Sequence, residues 1–400
     1  MKKMTIEATY RVVTPLFCAG VDQKNGPELR LPSFKGVLRY WWRALAWSRC
    51  RSGLGVLRQQ EDRLFGSANG GQSRVLMRMA TALEPEAVAQ PKVLSISASS
   101  DGVVGDGARY LGYGLMEAKS SKKGTEAGQI QRGCLRSPFD FTVQMRARRL
   151  DDREFRSLTD ALIALGTLGG LGARSRRGYG SVALESLRVN GQERWPAPTT
   201  AGELRDSIAS LHHERHEDEA ELPPFTALSK KARHVLLANG ERAPVELLDL
   251  VGREFVRFRS WGYKGRVLGQ QSERNFQRDH DLMKTNWRQR KTHPERIAFG
   301  LPHNYGKYDD QKVGPWDEFD RRASPLFIHL HQCDRVPVAV LSFLPARFLP
   351  NGRSAISVGG SRVAQRPEAE LYKPVHDFLD RLSDPQRRRE SFAEVMEVPR

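Results

Sequence analysis

Gly166–Gly180, GTLGGLGARSRRGYG, sets Gly169, Gly170, Gly172, Gly178 and Gly180 among Arg174, Arg176 and Arg177, with no acidic residue. Before it, Phe155, Leu158, Leu162 and Leu165 recur at helical spacing and predict a helix over 152–165. After it, Val182, Leu184, Leu187 and Val189 predict a strand over 179–189. The loop between them lacks Cβ atoms where glycine stands, so its backbone can approach a bulky anion closely. Free N–H groups and guanidiniums can then hold phosphates. A flexible basic surface loop is the plainer alternative.

Working outward, TIEATYRVV (5–13) alternates polar and apolar residues as a half-buried strand does. A turn-rich segment leads to Ser33, placed to cap a helix over 34–48, FKGVLRYWWRALAWS. Val37, Leu38, Trp41, Trp42 and Leu45 supply its apolar side, while Lys35, Arg39 and Arg43 at i, i+4 and i+8 form a basic stripe. Like charges at that spacing cost a few tenths of a kcal/mol per pair, a cost tolerable if the stripe faces phosphate; a solvated helix face is the alternative. Strands are expected at 73–80 and 139–150. The resulting order is βαββαβ, a ferredoxin-like, RRM-like α+β arrangement. The expected first domain, 1–200, carries an insertion at 81–138 with little periodicity, in which Tyr110 and Tyr113 offer either stacking faces for bases or packing.

The segment 201–223 reads as a linker holding a short helix-like piece and ending in the acidic run HHERHEDEAE (212–221), whose histidines suit a charged solvated segment better than a metal site. A second ferredoxin-like domain is expected over 224–400, with a strand-like stretch at 224–239, a helix at 244–258, paired strands at 324–333 and 336–344, and a helix at 368–382. It carries a basic insertion around 260–321. Arg253 to Lys291 holds eleven Lys and Arg against four Asp and Glu. There Arg257, Arg259, Lys264 and Arg266 flank aromatics in RSWGYKGR, the mixture that combines backbone tracking with base stacking on single strands.

The chain of 400 residues carries 64 Lys and Arg against 47 Asp and Glu, a net charge of +17. That excess favours a polyanionic partner. No stretch approaches the ~20 apolar residues of a membrane span, and MKKMTIEATYRVV reads as a first strand and not a signal peptide, so a cytoplasmic location is expected. Cys18, Cys50, Cys134 and Cys333 are isolated from one another and from His at ligand spacing, which speaks against zinc and disulfides. Neither a phosphate-binding GxxxxGK[ST] loop nor paired carboxylates beside a His cluster is present, so no metal or cofactor is expected.

VTPLFCAGVD and ELRLPSFKGVLRYWWRAL, the loop GTLGGLGARSRRGYGSV, IAFGLPHNYG, and ASPLFIHLH with VPVAVLSFLPARFLP together resemble the first subunits of the Cmr complex, the type III-B CRISPR effector. Those subunits belong to the RAMP superfamily, and the matching blocks spread over most of the chain. The resemblance implies two RAMP domains, a place in a multi-subunit antiviral ribonucleoprotein, and contact with guide or target RNA near the guide's 3′ side. By the match, Lys35, Arg39 and Arg43 lie on the family's basic first helix. Gly169, Gly170, Gly172, Arg174, Arg176, Arg177 and Gly178 lie on its glycine-rich loop.

The resemblance associates target cutting with another subunit, so a non-enzymatic role is expected. Related proteins include metal-independent ribonucleases, and that chemistry needs a general base near a 2′-hydroxyl and a cation for the phosphorane. His280, His293 and His303 are the candidates for it. A double-stranded DNA regulator lacks the helix-turn-helix or zinc-finger pattern it would need. Replacement of Arg174, Arg176 and Arg177 by alanine is expected to weaken RNA binding and leave folding intact. The basic stripe and the loop are expected on one surface.

Overall fold

The computed structural model describes residues 4–20, 26–50, 53–80, 88–89, 105–117, 127–212, 222–240, 242–262, 264–306, 308–316, 319–349 and 355–399. Its first half runs β1 (Met4–Val12), α1 (Leu31–Ala46), α2 (Leu54–Phe65), β2 (Val75–Met79), α3 (Asp106–Leu111), β3 (Phe139–Ala147), α4 (Asp152–Leu168), β4 (Val182–Val189), β5 (Gln192–Pro196) and α5 (Ala201–Ser210). The sheet order is β2-β3-β1-β4-β5, with every neighbouring pair antiparallel. This is the split βαββαβ arrangement with a hairpin strand added at one edge.

Alternation decides which face of the sheet is covered. Ile6, Ala8, Tyr10 and Val12 of β1 are buried, with Val143 and Met145 beside them on β3. α1 and α4 lie side by side over that face; the Trp42 indole N–H donates to Ser157 Oγ at 3.0 Å, and the Tyr10 hydroxyl donates to the Leu162 carbonyl at 2.9 Å. α4 begins with a capping box between Asp151 and Glu154.

The second half repeats the order with β6 (Arg233–Ala238), α6 (Pro244–Arg259), α7 (Gln277–Lys284), β7 (Leu326–Cys333), β8 (Val336–Phe343), α8 (Lys373–Ser383) and β9 (Glu394–Glu397). Its antiparallel sheet is ordered β7-β8-β6-β9. α7 lies between α6 and β7, and a small antiparallel sheet of His303–Asn304, Lys312–Pro315, Ala355–Val358 and Ser361–Ala364 stands beside it.

The two halves share their cores. One apolar cluster joins Tyr10, Trp41 and Leu165 to Leu236, Phe327 and Val340; the other joins Phe17 and Tyr179 to Leu248, Phe255 and Leu330. Within the 81–138 insertion, α3 crosses α6 so closely that a Cβ on Gly107 would lie 2.1 Å from the Asp249 carbonyl oxygen. Tyr110 packs against Phe255, which assigns it to packing, while Tyr113 is 69% exposed.

Several elements differ from expectation. α1 starts at Leu31, with Pro32 in its first turn, so Ser33 lies inside the helix and caps nothing. α4 runs on to Leu168, taking the first residues of the glycine-rich stretch into the helix. α2 and β9 were not anticipated. The segment 224–239 is extended in regular strand only over β6. The helix-like piece expected in the linker is α5, capped by Thr200, but Leu204 and Ile208 bury it against the first half's core instead of leaving it a free connection. Residues 213–221 of the acidic run lie outside the described residues; His212 Nε2 sits 3.0 Å from His234 Nε2.

Candidate nucleic-acid interface

The glycine–arginine loop is sewn into β7. The Ile328 N–H donates to the Arg176 carbonyl at 3.1 Å, and the Leu330 N–H donates to Ser181 Oγ at 3.0 Å. His329 Nδ1 donates to the Gly169 carbonyl at 2.6 Å. Chain crossing therefore explains the glycines. Gly172 has φ +75°, and a Cβ there would lie 2.5 Å from the Phe17 carbonyl oxygen; Gly178 has φ +83°, and its Cβ would lie 2.4 Å from Leu248. Gly169 and Gly170 are as tightly enclosed, a built Cβ lying 2.5 Å from Trp41 Nε1 and 2.8 Å from the Gly180 carbonyl oxygen respectively, and both also line a pocket described below. The loop is a joint between the two halves, which excludes a flexible surface loop.

Its three arginines diverge. Arg174 is exposed and donates through Nε and Nη2 to the Tyr113 carbonyl at 2.9 and 2.6 Å. Arg176 lies over the rings of Phe327 and Tyr40, 4.4 and 5.6 Å from their centroids, and donates to the Ser324 carbonyl at 2.9 Å. Arg177 turns the other way, 5.0 Å from the Phe255 centroid, and its buried Nη1 has no hydrogen-bond partner among the described residues. Burial, with Arg259 nearby, lowers the Arg177 pKa to about 9. The expectation that removing all three leaves folding intact is corrected: Arg176 and Arg177 are packed against the second half, and only Arg174 stands outside it.

The basic stripe of α1 is also less free than its spacing suggests. α2 brings Glu61, only 5% exposed, between Arg39 and Arg43, each of which donates to the same Glu61 oxygen at 2.6 Å. Lys35 donates to the Phe65 carbonyl at 2.8 Å. The three cations hold α2 in place, a role invisible in the stripe's spacing because the carboxylate stands on a helix the periodicity did not reveal. α1 nevertheless meets the loop through its neighbouring face. Gly36, Val37, Tyr40 and Trp41 line a pocket of about 200 Å³ with Gly169, Gly170, Ser175, Arg176 and Phe327. Tyr40 and Phe327 stack at 6.2 Å with 23° between their planes, and Tyr40 also feels the charges of Arg43 and Arg322.

The second-half residues sort unevenly. Arg259 packs between Phe255 and Phe299 and donates to the Tyr110 hydroxyl at 3.0 Å and to His303 Nε2 at 3.2 Å. Burial lowers its pKa, with Arg296 adding to the effect. Arg257 is withdrawn as a phosphate contact, because it is buried in an ion pair with Glu390. Lys264 and Arg266 are exposed beyond the end of α6; Arg266 donates to the Gly269 carbonyl at 3.2 Å.

The three histidines do not make a general-base site. His280 stacks on Trp261 and His303 lies across Tyr305 from it, while His293 is buried elsewhere and accepts from the Arg366 N–H at 3.0 Å. His280 Nε2 accepts from Arg296 and His303 Nε2 from Arg259, each at 3.2 Å, so the lone pairs a base would use are occupied. Burial first, then neighbouring arginines, lowers His280 to about 4 and holds His303 well below its ordinary value. Among the described residues no group of three or more His, Cys, Asp or Glu is placed to hold a metal ion. No helix among them is long and apolar enough to cross a membrane.

The sequence pattern of the RAMP superfamily matches residues 9–183. The Cmr subunit Cmr1-2 of Pyrococcus furiosus is 30% identical over 181 residues, covering 44% of this chain and 92% of that relative. The chain belongs to the RAMP superfamily. Cmr1-1 of the same organism is 31% identical over 177 residues, 43% of this chain and 45% of the relative. The RAMP fold extends further than these alignments. The crystal structure of apo Cmr1 from Pyrococcus furiosus superposes with a TM-score of 0.54 at 21% identity over 98% of each chain. A chain of the type III-B Cmr-β complex bound to cognate target RNA superposes at 0.52 with 13% identity, over 94% of this chain and 100% of that one. The superfamily match takes in α1 and the glycine-rich loop, which meet β7 at the pocket.

Proposed function

We propose that this RAMP protein is a Cmr1-type subunit of a cytoplasmic type III-B CRISPR effector. It holds single-stranded guide or target RNA near the guide's 3′ side, and it performs no cleavage itself. The relatives named as Cmr subunits, and the likeness to a chain of a Cmr complex bound to target RNA, support the placement. One local observation carries the RNA contact. Arg174, Arg176 and Arg177 leave the loop where it meets the second half, with Arg259 near Arg177, and among the described residues none of the four has a carboxylate within ion-pair distance; of them only Arg174 stands exposed to receive a phosphate. Burial first, then neighbouring guanidiniums (Arg321 and Arg132 for Arg174, Arg259 for Arg177, Arg296 for Arg259), lowers their pKa values, and a phosphate beside the exposed Arg174 relieves its repulsion. Tyr40, Tyr113 and Phe327 supply aromatic faces close by.

Anisotropy titration of the full chain with labelled single-stranded RNA tests this reading. Affinity should fall with salt at a log–log slope of about −0.7 per phosphate contacted, and the RNA should remain intact in EDTA. Binding indifferent to salt, or specific cleavage abolished by H280A or H303A, would contradict it.

A further inference from the structure

The basic insertion of the second half turns rings to solvent that the joint between the halves does not use. Among the described residues of that half, every large apolar side chain left exposed is aromatic: Trp287, Tyr308, Trp316 and Phe319. Tyr308 is 73% exposed and Trp287 38%. A single exposed ring needs no explanation, but the backbone brings these two to one end of the small sheet. Trp287 opens a short helical turn, Trp287–Gln289, and Tyr308 leads into another, Asp309–Gln311. Arg290, only 5% exposed, staples the two turns together. It donates to the Asp310 carbonyl, and through Nη2 to the Met283 and Thr285 carbonyls at 2.8 and 3.0 Å. Ser361 Oγ donates to the Trp287 carbonyl at 2.6 Å, and the Gly359 N–H donates to the Lys312 carbonyl at 2.8 Å. Both turns are thus held against the hairpin that joins Val358 to Ser361. Rings carried on backbone already fixed lose less entropy when a ligand settles on them.

The charges beside them are unanswered. Arg288, Lys291 and Arg362 are exposed, and among the described residues none has a carboxylate within ion-pair distance. Arg288 lies 5.1 Å from the Trp287 centroid, while no ring or guanidinium among the described residues packs on Tyr308. Asp309 pairs with Lys312 at 2.6 Å, which leaves Asp310 as the opposing charge of these turns. The core of a protein interface is depleted of charge. Rings set among free cations, with no large aliphatic side chain exposed beside them, match the bases and phosphates of a single strand instead.

We propose that this edge of the insertion is a second contact for single-stranded RNA. Tyr308 and Trp287 stack on unpaired bases without reading their identity, and Arg288, Lys291 and Arg362 hold the phosphates alongside. The inference rests on the RNA-binding reading above and adds a contact made by none of the residues at the joint.

The full chain, Y308A, Y308F and the double variant R288Q/R362Q would be titrated with oligouridylate and oligoadenylate of one length across a salt series. All these positions are exposed, so melting temperatures should be retained. Y308A should bind both oligomers roughly tenfold more weakly with an unchanged salt slope, as loss of a stacking ring requires. Y308F keeps the ring and should keep the affinity; a loss as large as in Y308A would overturn the proposal. R288Q/R362Q should flatten the slope by about 1.4, two phosphates' worth. If the unsubstituted chain binds with the expected slope and Y308A and R288Q/R362Q match it, the second contact is overturned and the RNA-binding reading stands. If the unsubstituted chain binds neither oligomer, both fall. If those variants bind RNA normally but fail to assemble with Cmr subunits, the edge belongs to a partner protein and the proposal is likewise overturned.

Discussion

Arg176 lays its guanidinium 4.4 Å from the centroid of Phe327, joining the glycine-rich loop of the first half to a buried strand of the second. The contact lets the loop serve two purposes at once. It fastens the halves together, and it leaves Arg174, Tyr40 and the pocket beneath them facing outward.

Truncation at this joint should damage stability first. Phe327 is buried against Tyr40 and Trp41, so F327A should lower unfolding free energy by about 3 kcal/mol, measured by urea titration. R174A, at an exposed site, should stay within about 0.5 kcal/mol of the unsubstituted chain. Equal stability of the two variants would remove the joint from this account.

Charge at position 174 should control RNA affinity without affecting the fold. R174E is expected to weaken single-strand binding several-fold at low salt and to flatten the salt slope by about 0.7. The circular dichroism spectrum and melting temperature should be retained. An unaltered slope would mean that Arg174 contacts no phosphate.

Glu61 restrains two arginines that would otherwise be available. E61Q should cost about 1–2 kcal/mol, less than a fully buried pair because Arg39 and Arg43 each keep a third of their side-chain surface in water. It should also steepen the salt dependence of RNA binding as those arginines are released. Unchanged binding would show that the stripe faces away from the RNA path.

Stability should depend on pH through the joint itself. His329 and His331 are buried between the halves, and burial lowers them to about 4 and about 3. The unfolded chain takes up protons near the ordinary histidine value of about 6.5, while the folded chain does not. Their stabilising contribution is therefore complete above about pH 6.5 and is lost as pH falls towards 4. Each should remove about 1.6 kcal/mol between pH 6.5 and 5, read from urea midpoints, and H329Q should flatten that slope. A midpoint constant over this range would contradict their neutral burial.

The fold was legible where one period dominates a long segment. β1 alternates cleanly, α4 carries Leu158, Leu162 and Leu165 on one face, and β7 and β8 are joined by a short turn. α2 escaped because LGVLRQQEDRLF buries only Leu57, Glu61, Leu64 and Phe65, follows Gly53 and carries Gly55 in its first turn. β9 escaped because EVME is four residues long and buries none of them fully. The same gap explains the reading of the stripe: three cations at i, i+4 and i+8 were visible, but not the carboxylate that answers two of them. Phe327 and Trp41 read as core residues, and only the crossing of two sheets turns them towards a shared pocket. The loop's composition announced backbone close to something large; the sequence could not say that β7 fills most of that space.

Cross-linking to the full chain tests the central claim most directly. RNA carrying 4-thiouridine would be irradiated with the protein and the attached peptides mapped by mass spectrometry. Cross-links at Tyr40 and in the segment containing Arg174 are the expected result. Efficient cross-linking confined to other surfaces, with the α1–loop–β7 seam untouched, would contradict the account.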